Sequence, residues 1–172
     1  MSNLEKQTQK LEQQIRQKIQ KMQLTFQDSP VDFFEQTLGF KATDYQKQLA
    51  TDFLEKQFVA ARWCRQSGKS HTIAALLLYY ALSHAETSIG VVGPSYRQAK
   101  LVIRKISGFL RNLPDGFVLK ARKTVIYFSN GSVIECFPNN PDTIRGPTLH
   151  LVYWDEMNFT ANDEKMYDAI LF

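Results

Sequence analysis

The sequence predicts an α/β fold in which a parallel sheet is flanked by helices, and three observations predict it. From Ala42 onward, segments of helical periodicity alternate with short apolar runs of strand length, the pattern of parallel strands joined by helical crossovers. One loop between a predicted strand and a helix, "CRQSGKS" at 64–70, carries a Gly-Lys-Ser ending suited to approach an anion with backbone amides. A further apolar run, Leu149 to Trp154, ends in two carboxylates, Asp155 and Glu156.

The elements follow in order. Leu4, Leu11, Ile15, Ile19, Met22 and Phe26 recur at helical steps in a Gln- and Lys-rich background, so residues 1–27 read as an amphipathic helix that packs on its own domain or on a partner. "QDSPVDFFEQTLGF" supplies a cap, a proline break and a short aromatic helix, which places a boundary near residue 28 and a second unit over 28–172. Then come a helix from about Asp44 to Lys56, a strand "FVAARW", a helix Lys69 to Ser83, a strand "SIGVVG" and a helix Tyr96 to Leu113. "KTVIYFSNGSVIECFP" alternates on both sides of Asn130 and Gly131, the signature of an inserted β-hairpin. The acidic strand and a last helix in "NDEKMYDAILF" complete the chain.

The 172 residues suffice for one core that buries roughly 70% of the surface the unfolded chain exposes. A net charge of +4 is compatible with nucleic acid without requiring it. Cys64 and Cys136 are far apart and form no metal-binding or disulfide pattern. No apolar run reaches membrane-spanning length and the N-terminus is polar, so a cytoplasmic protein without a membrane partner is expected.

The chemistry lies in the loop and the acidic strand. With Gly68 permitting close approach, the amides at the start of the following helix would face phosphates, Lys69 would reach the β and γ oxygens, and the Ser70 hydroxyl would ligate Mg²⁺. Asp155 would hold Mg²⁺ through water and Glu156 would act as general base on the attacking water. The alternative for the acids is a strand end with a helix-capping carboxylate, which leaves Lys69 unexplained. Trp63 stands where a standard phosphate loop has its first glycine. On the helix from Tyr96, Arg97, Lys100, Arg104 and Arg111 form a basic stripe that either meets DNA phosphates or is an ordinary solvated face.

Several of these segments together resemble the ATPase domain of viral large terminase subunits, the motors that package DNA into procapsids. "TDYQKQLA" at 43–50 is similar to the family's adenine-recognition segment, "CRQSGKS" to its variant phosphate loop, and "IGVVGPSYRQAK", the hairpin and "TIRGPTLHLVYWDE" follow in the family's order. The resemblance covers about residues 42–172 and implies a RecA-like P-loop NTPase sheet. It implies that Tyr45 and Gln46 contact the base, that Arg65, Gln66, Ser67, Gly68, Lys69 and Ser70 hold ATP, and that a missing first glycine is tolerated. Arg65 would sense the γ-phosphate, and Arg145, ten residues before Asp155, would be a finger reaching a neighbouring subunit.

The implied partners are double-stranded DNA, further copies in a homo-oligomeric ring on a portal, and a small terminase subunit. In such sheets a strand following the acidic one inserts between it and the phosphate-loop strand. The chain ends before that strand, the coupling motif and the nuclease domain, so an incomplete sheet is expected, open to completion by a second chain or segment. Two other functions stay open: a helicase-like nucleic-acid-dependent ATPase, and a non-catalytic nucleotide-binding or assembly fragment.

Overall fold

A computed structural model of the chain describes residues 5, 7–14, 16–17, 29–159 and 163–171. The described part of the N-terminal segment is helical, with Leu11 59% exposed; Leu4, Ile15, Ile19, Met22 and Phe26 of the expected apolar stripe lie outside the described residues. The helices are α1 (Pro30–Asp32, continued by a π-turn Phe33–Thr37), α2 (Asp44–Glu55), α3 (Lys69–Ser83), α4 (Tyr96–Phe109), α5 (Pro141–Ile144) and α6 (Asp163–Leu171). The strands are β1 (Ser88–Val92), β2 (Val118–Ala121), β3 (Val125–Phe128), β4 (Val133–Phe137) and β5 (Leu151–Trp154).

The five strands form one sheet in the order β2-β3-β4-β1-β5. β1 lies inside the sheet, next to its edge strand, and runs parallel to β4 on one side and β5 on the other, whereas β2-β3 and β3-β4 pair antiparallel. Alternation along β1 sorts its side chains between two apolar layers. Ile89 and Val91 join the main core with α3 and α4, while Val92 joins a smaller cluster with Ile144 and Met166 beneath α5 and α6. The sheet is therefore covered on both faces.

Helix α3 is the centre of the main layer. Its Thr72, Ala74 to Tyr79, Ala81 and Leu82 are buried nearly all the way round, which a helix tolerates when a sheet and other helices enclose it. Phe33 and Phe34 of the π-turn enter the same core, and Phe34 stacks on Phe40 at 4.9 Å. Burying a side chain of this size stabilises by about 1.5–3 kcal/mol, so this layer holds the molecule together.

Two expectations need correction. Residues 58–63, predicted as a strand, join no ladder and are exposed up to the half-buried Trp63. Strand geometry is sustained by a hydrogen-bonded neighbour, and among the described residues none flanks this segment; β5, the strand expected beyond the gap, forms the edge of the sheet. Conversely, β2 was not expected. It is an edge strand whose Leu119, Lys120 and Ala121 are exposed, so it lacks the alternation that marks a half-buried strand.

The hairpin turn does a second job. Asn130 Nδ2 donates to the carbonyl of Ala81 at 2.8 Å and Ser132 Oγ to that of His84 at 2.6 Å, so the turn satisfies carbonyls at the C-terminal end of α3. Gly131 has φ +86, and a Cβ there would sit 3.1 Å from Glu86 Cγ, which accounts for glycine at that position. Asn130→Ala is expected to lower stability by about 1–3 kcal/mol through the carbonyls it leaves without a donor. A thermal melt checks this, and an unchanged Tm would show that water replaces the amide.

Candidate active site

The phosphate-loop candidate reaches α3 through a tight turn. Gln66 has φ 62 and Gly68 φ 80, two left-handed residues that fold the chain back so that α3 begins at Lys69. The loop is clamped from α2. Tyr45 Oη donates to the Ser67 carbonyl at 2.9 Å, and the Tyr45 ring meets Trp63 edge-on at 4.9 Å. Thr43 and Gln46 form a capping box in which Gln46 Oε1 accepts the Thr43 N–H at 2.9 Å. That bond buries Gln46 to 7% exposure and directs its Nε2 towards the loop, where a Cβ on Gly68 would come within 2.8 Å of it. Trp63, the departure from the standard motif, therefore has a packing role against Tyr45 and the core.

The acidic strand meets this loop because β5 lies parallel to β1. Asp155 continues the register by one bond, donating its N–H to the Val92 carbonyl at 2.8 Å, and Glu156 then turns away with φ 49. Lys69 Nζ lies 3.4 Å from Asp155 Oδ1, so the loop lysine and the strand carboxylate converge in space. Tyr153, two residues earlier, donates its phenol to the same Oδ1 at 2.6 Å. Burial, and then the hydrogen bond to Asp155, push the Tyr153 pKa far above its ordinary value, so the phenol stays protonated and remains a donor. Glu156 Oε2 accepts from Gln98 Nε2 at 3.3 Å.

The residues fit a phosphate-bearing ligand with a divalent cation. The Ser67 hydroxyl is buried with no hydrogen-bond partner among the described residues, an orphan inside a loop whose neighbouring glycine has no side chain. Ser70, beside Lys69 at the start of α3, and Asp155, 3.4 Å from the Lys69 amine, both carry oxygens suited to a divalent cation. Among the described residues no group of three or more His, Cys, Asp or Glu side chains is placed to hold a metal. Mg²⁺ bound with a nucleotide needs none, since it takes one or two protein oxygens and completes its shell with phosphate and water.

Not every expected residue converges. Arg65 is exposed and makes no ion pair or hydrogen bond among the described residues, and Arg145 is exposed with Asp142 at 3.7 Å on its own helical turn. Two residues escaped the sequence reading. Tyr153 had a signal, because residues two apart on a strand share a face and 153 and 155 do. Gln98 had a weaker one, the Ser95 to Gln98 spacing of a helix N-terminus.

A family model described as terminase large subunit, T4likevirus-type, N-terminal, matches residues 63–170, more than half of the chain. Among solved structures, the large terminase ATPase domain of Thermus phage P74-26 superposes with a TM-score of 0.62 at 21% identity, covering 83% of this chain and 65% of that one. A mutant of the same phage domain gives a TM-score of 0.65 at 20% identity over the same shares. At that identity the likeness is one of fold, and the chain spans 65% of the length of the structures it matches.

Gly68→Ala combines a left-handed backbone with the 2.8 Å approach to Gln46. We expect a loss of roughly 1–2 kcal/mol in stability from the backbone term alone. Binding of a fluorescent ATP analogue is expected to fall at least tenfold; a variant that keeps wild-type affinity would show that the loop accepts a Cβ.

Proposed function

The chain belongs to the terminase large-subunit family, as its N-terminal, T4likevirus-type domain, and on that footing we propose that it is the ATP-hydrolysing part of a motor that moves double-stranded DNA into a viral procapsid. The observation that carries the reading is the meeting of Lys69 and Asp155 at 3.4 Å, one at the start of α3 and the other just past β5. The carboxyl ends of parallel strands are where α/β sheets hold their ligands.

Each residue then has a task. Tyr45 and Gln46 lie beside the loop on the base side, while Arg65 and the stretch Gln66, Ser67, Gly68, Lys69 and Ser70 take the phosphates. Lys69 exchanges its contact with Asp155 for phosphate oxygens, leaving Asp155 and Ser70 to hold Mg²⁺. Mg²⁺, when bound, neutralises charge on the phosphate oxygens. Tyr153 keeps Asp155 oriented through this exchange. Glu156, exposed beyond the strand end, takes the proton of the attacking water. Arg145, outward-facing on its own surface, serves the nucleotide of a neighbouring copy.

The whole motor would be a homo-oligomeric ring acting in the host cytoplasm on a portal, with a small terminase subunit as partner. Among the described residues no helix is long and apolar enough to cross a membrane.

Phosphate release and binding of a fluorescent ATP analogue, measured on the full protein, test the assignment. Lys69→Ala is expected to lose both. Glu156→Gln is expected to bind within about threefold of wild type while hydrolysing about 10²- to 10⁴-fold more slowly. Turnover that survives Lys69→Ala unchanged would remove the nucleotide reading, and equal loss of binding and rate in Glu156→Gln would remove the base assignment.

A further inference from the structure

We propose that Gln98 is a positioning residue for Glu156: through a hydrogen-bond chain beginning at Ser95, the first turn of α4 fixes the orientation of the carboxylate that activates water. The inference rests on the reading of Glu156 as general base.

The two acidic residues are restrained from different sides. Asp155 is held by the Tyr153 phenol at 2.6 Å and by Lys69 at 3.4 Å. Glu156 receives neither. It leaves the strand with φ 49, a left-handed conformation uncommon for a residue with a Cβ and one that surrounding structure must hold. Its side chain is exposed, so without a partner the carboxylate would turn among several rotamers in water. The side-chain bond it makes is with Gln98 Nε2, at 3.3 Å and across most of the sheet in sequence.

Gln98 is itself held. Ser95 is the N-cap of α4; its hydroxyl accepts the Gln98 N–H at 3.3 Å and donates to Gln98 Oε1 at 3.0 Å. With the carboxamide oxygen engaged by a hydroxyl donor, the NH₂ group is the end that faces Glu156. The reverse orientation would set a carbonyl oxygen against a carboxylate. Ser95 thus fixes Gln98, and Gln98 fixes Glu156. Because the chain runs from the N-cap, it depends on α4 remaining wound at its first turn. A base held within a narrow range of orientations raises turnover without changing how tightly the nucleotide binds, since the gain comes from geometry at the reacting atom.

Steady-state kinetics on the full protein with Mg²⁺ and ATP decide the matter. For Gln98→Ala we expect kcat to fall about tenfold, with KM and the affinity for a fluorescent ATP analogue within about twofold of wild type. Gln98→Glu, which keeps an acceptor for Ser95 but sets a carboxylate in place of the NH₂ donor against Glu156, should lose at least as much turnover as Gln98→Ala. Placed in a Glu156→Gln background, Gln98→Ala should change the residual rate by less than about twofold, because its partner is already gone. Unchanged kcat in Gln98→Ala overturns the proposal, as does weakened nucleotide binding or the same tenfold loss in the Glu156→Gln background. If Glu156→Gln alone turns over at the wild-type rate, the base assignment fails, visibly apart from Gln98, and the inference falls with it.

Discussion

Parallel pairing of β5 with β1 is the constraint from which the site follows, because it brings the carboxyl ends of two strands to the same edge. The register that sets Val92 against Trp154 leaves Asp155 one residue beyond the ladder, where its N–H still finds the Val92 carbonyl. On β1 the chain passes Val92 and, through Gly93, turns into α4. A Cβ at Gly93 would lie 3.1 Å from the Ala99 backbone nitrogen, so the turn is tight. Ser95 and Gln98 therefore arrive beside Asp155 and Glu156 without any long-range design beyond strand direction. Antiparallel pairing would have put the acids and the start of α4 at opposite ends of the sheet.

The polar site does not hold the fold; the apolar layers do. Lys69 and Asp155 retain partial contact with water, and an ion pair in that setting contributes little net stability once desolvation and side-chain ordering are counted. The buried face of α3 supplies far more, and fixes Lys69 because the same helix carries the lysine at its first position. Cys136, buried in the main core with burial as the chief cause of a pKa pushed up to about 11, is a packed neutral thiol. Its chemistry is separate from the site.

Much of this was legible before the structure. Helices α2, α3 and α4 begin where the sequence reading placed them, at Asp44, Lys69 and Tyr96, and Thr43, Gly68 and Ser95 set those starts locally. The hairpin was legible in Asn130 and Gly131, whose conformational preference is also local. Strand 58–63 was misread because its sequence carries strand propensity while pairing depends on a neighbour that propensity cannot see. β2 was missed for the opposite reason, since pairing with β3 makes it a strand although its side chains are mostly exposed. At the site, the residue types and their spacing pointed to Lys69, Asp155 and Glu156. The residues that hold the acids, Tyr153 and Gln98, announce themselves only when strand faces and helix ends are set side by side.

The unpaired state of 58–63 bears on how the loop is held. The candidate phosphate loop is followed by α3 but preceded by no paired strand among the described residues, and side-chain contacts from α2 hold it. Tyr45 grips the Ser67 carbonyl and Trp63, and Gln46 fills the space beside Gly68. Because α3 is enclosed by the core, the lysine end of the site is the stiff one. Glu156, by contrast, stands exposed on a left-handed residue and is tied to an exposed turn of α4. The two ends of the site thus differ, the lysine end enclosed by the core and the Glu156 end held at the surface. On the proposed reading, the end that places a proton acceptor against water is the one the fold leaves to a few hydrogen bonds.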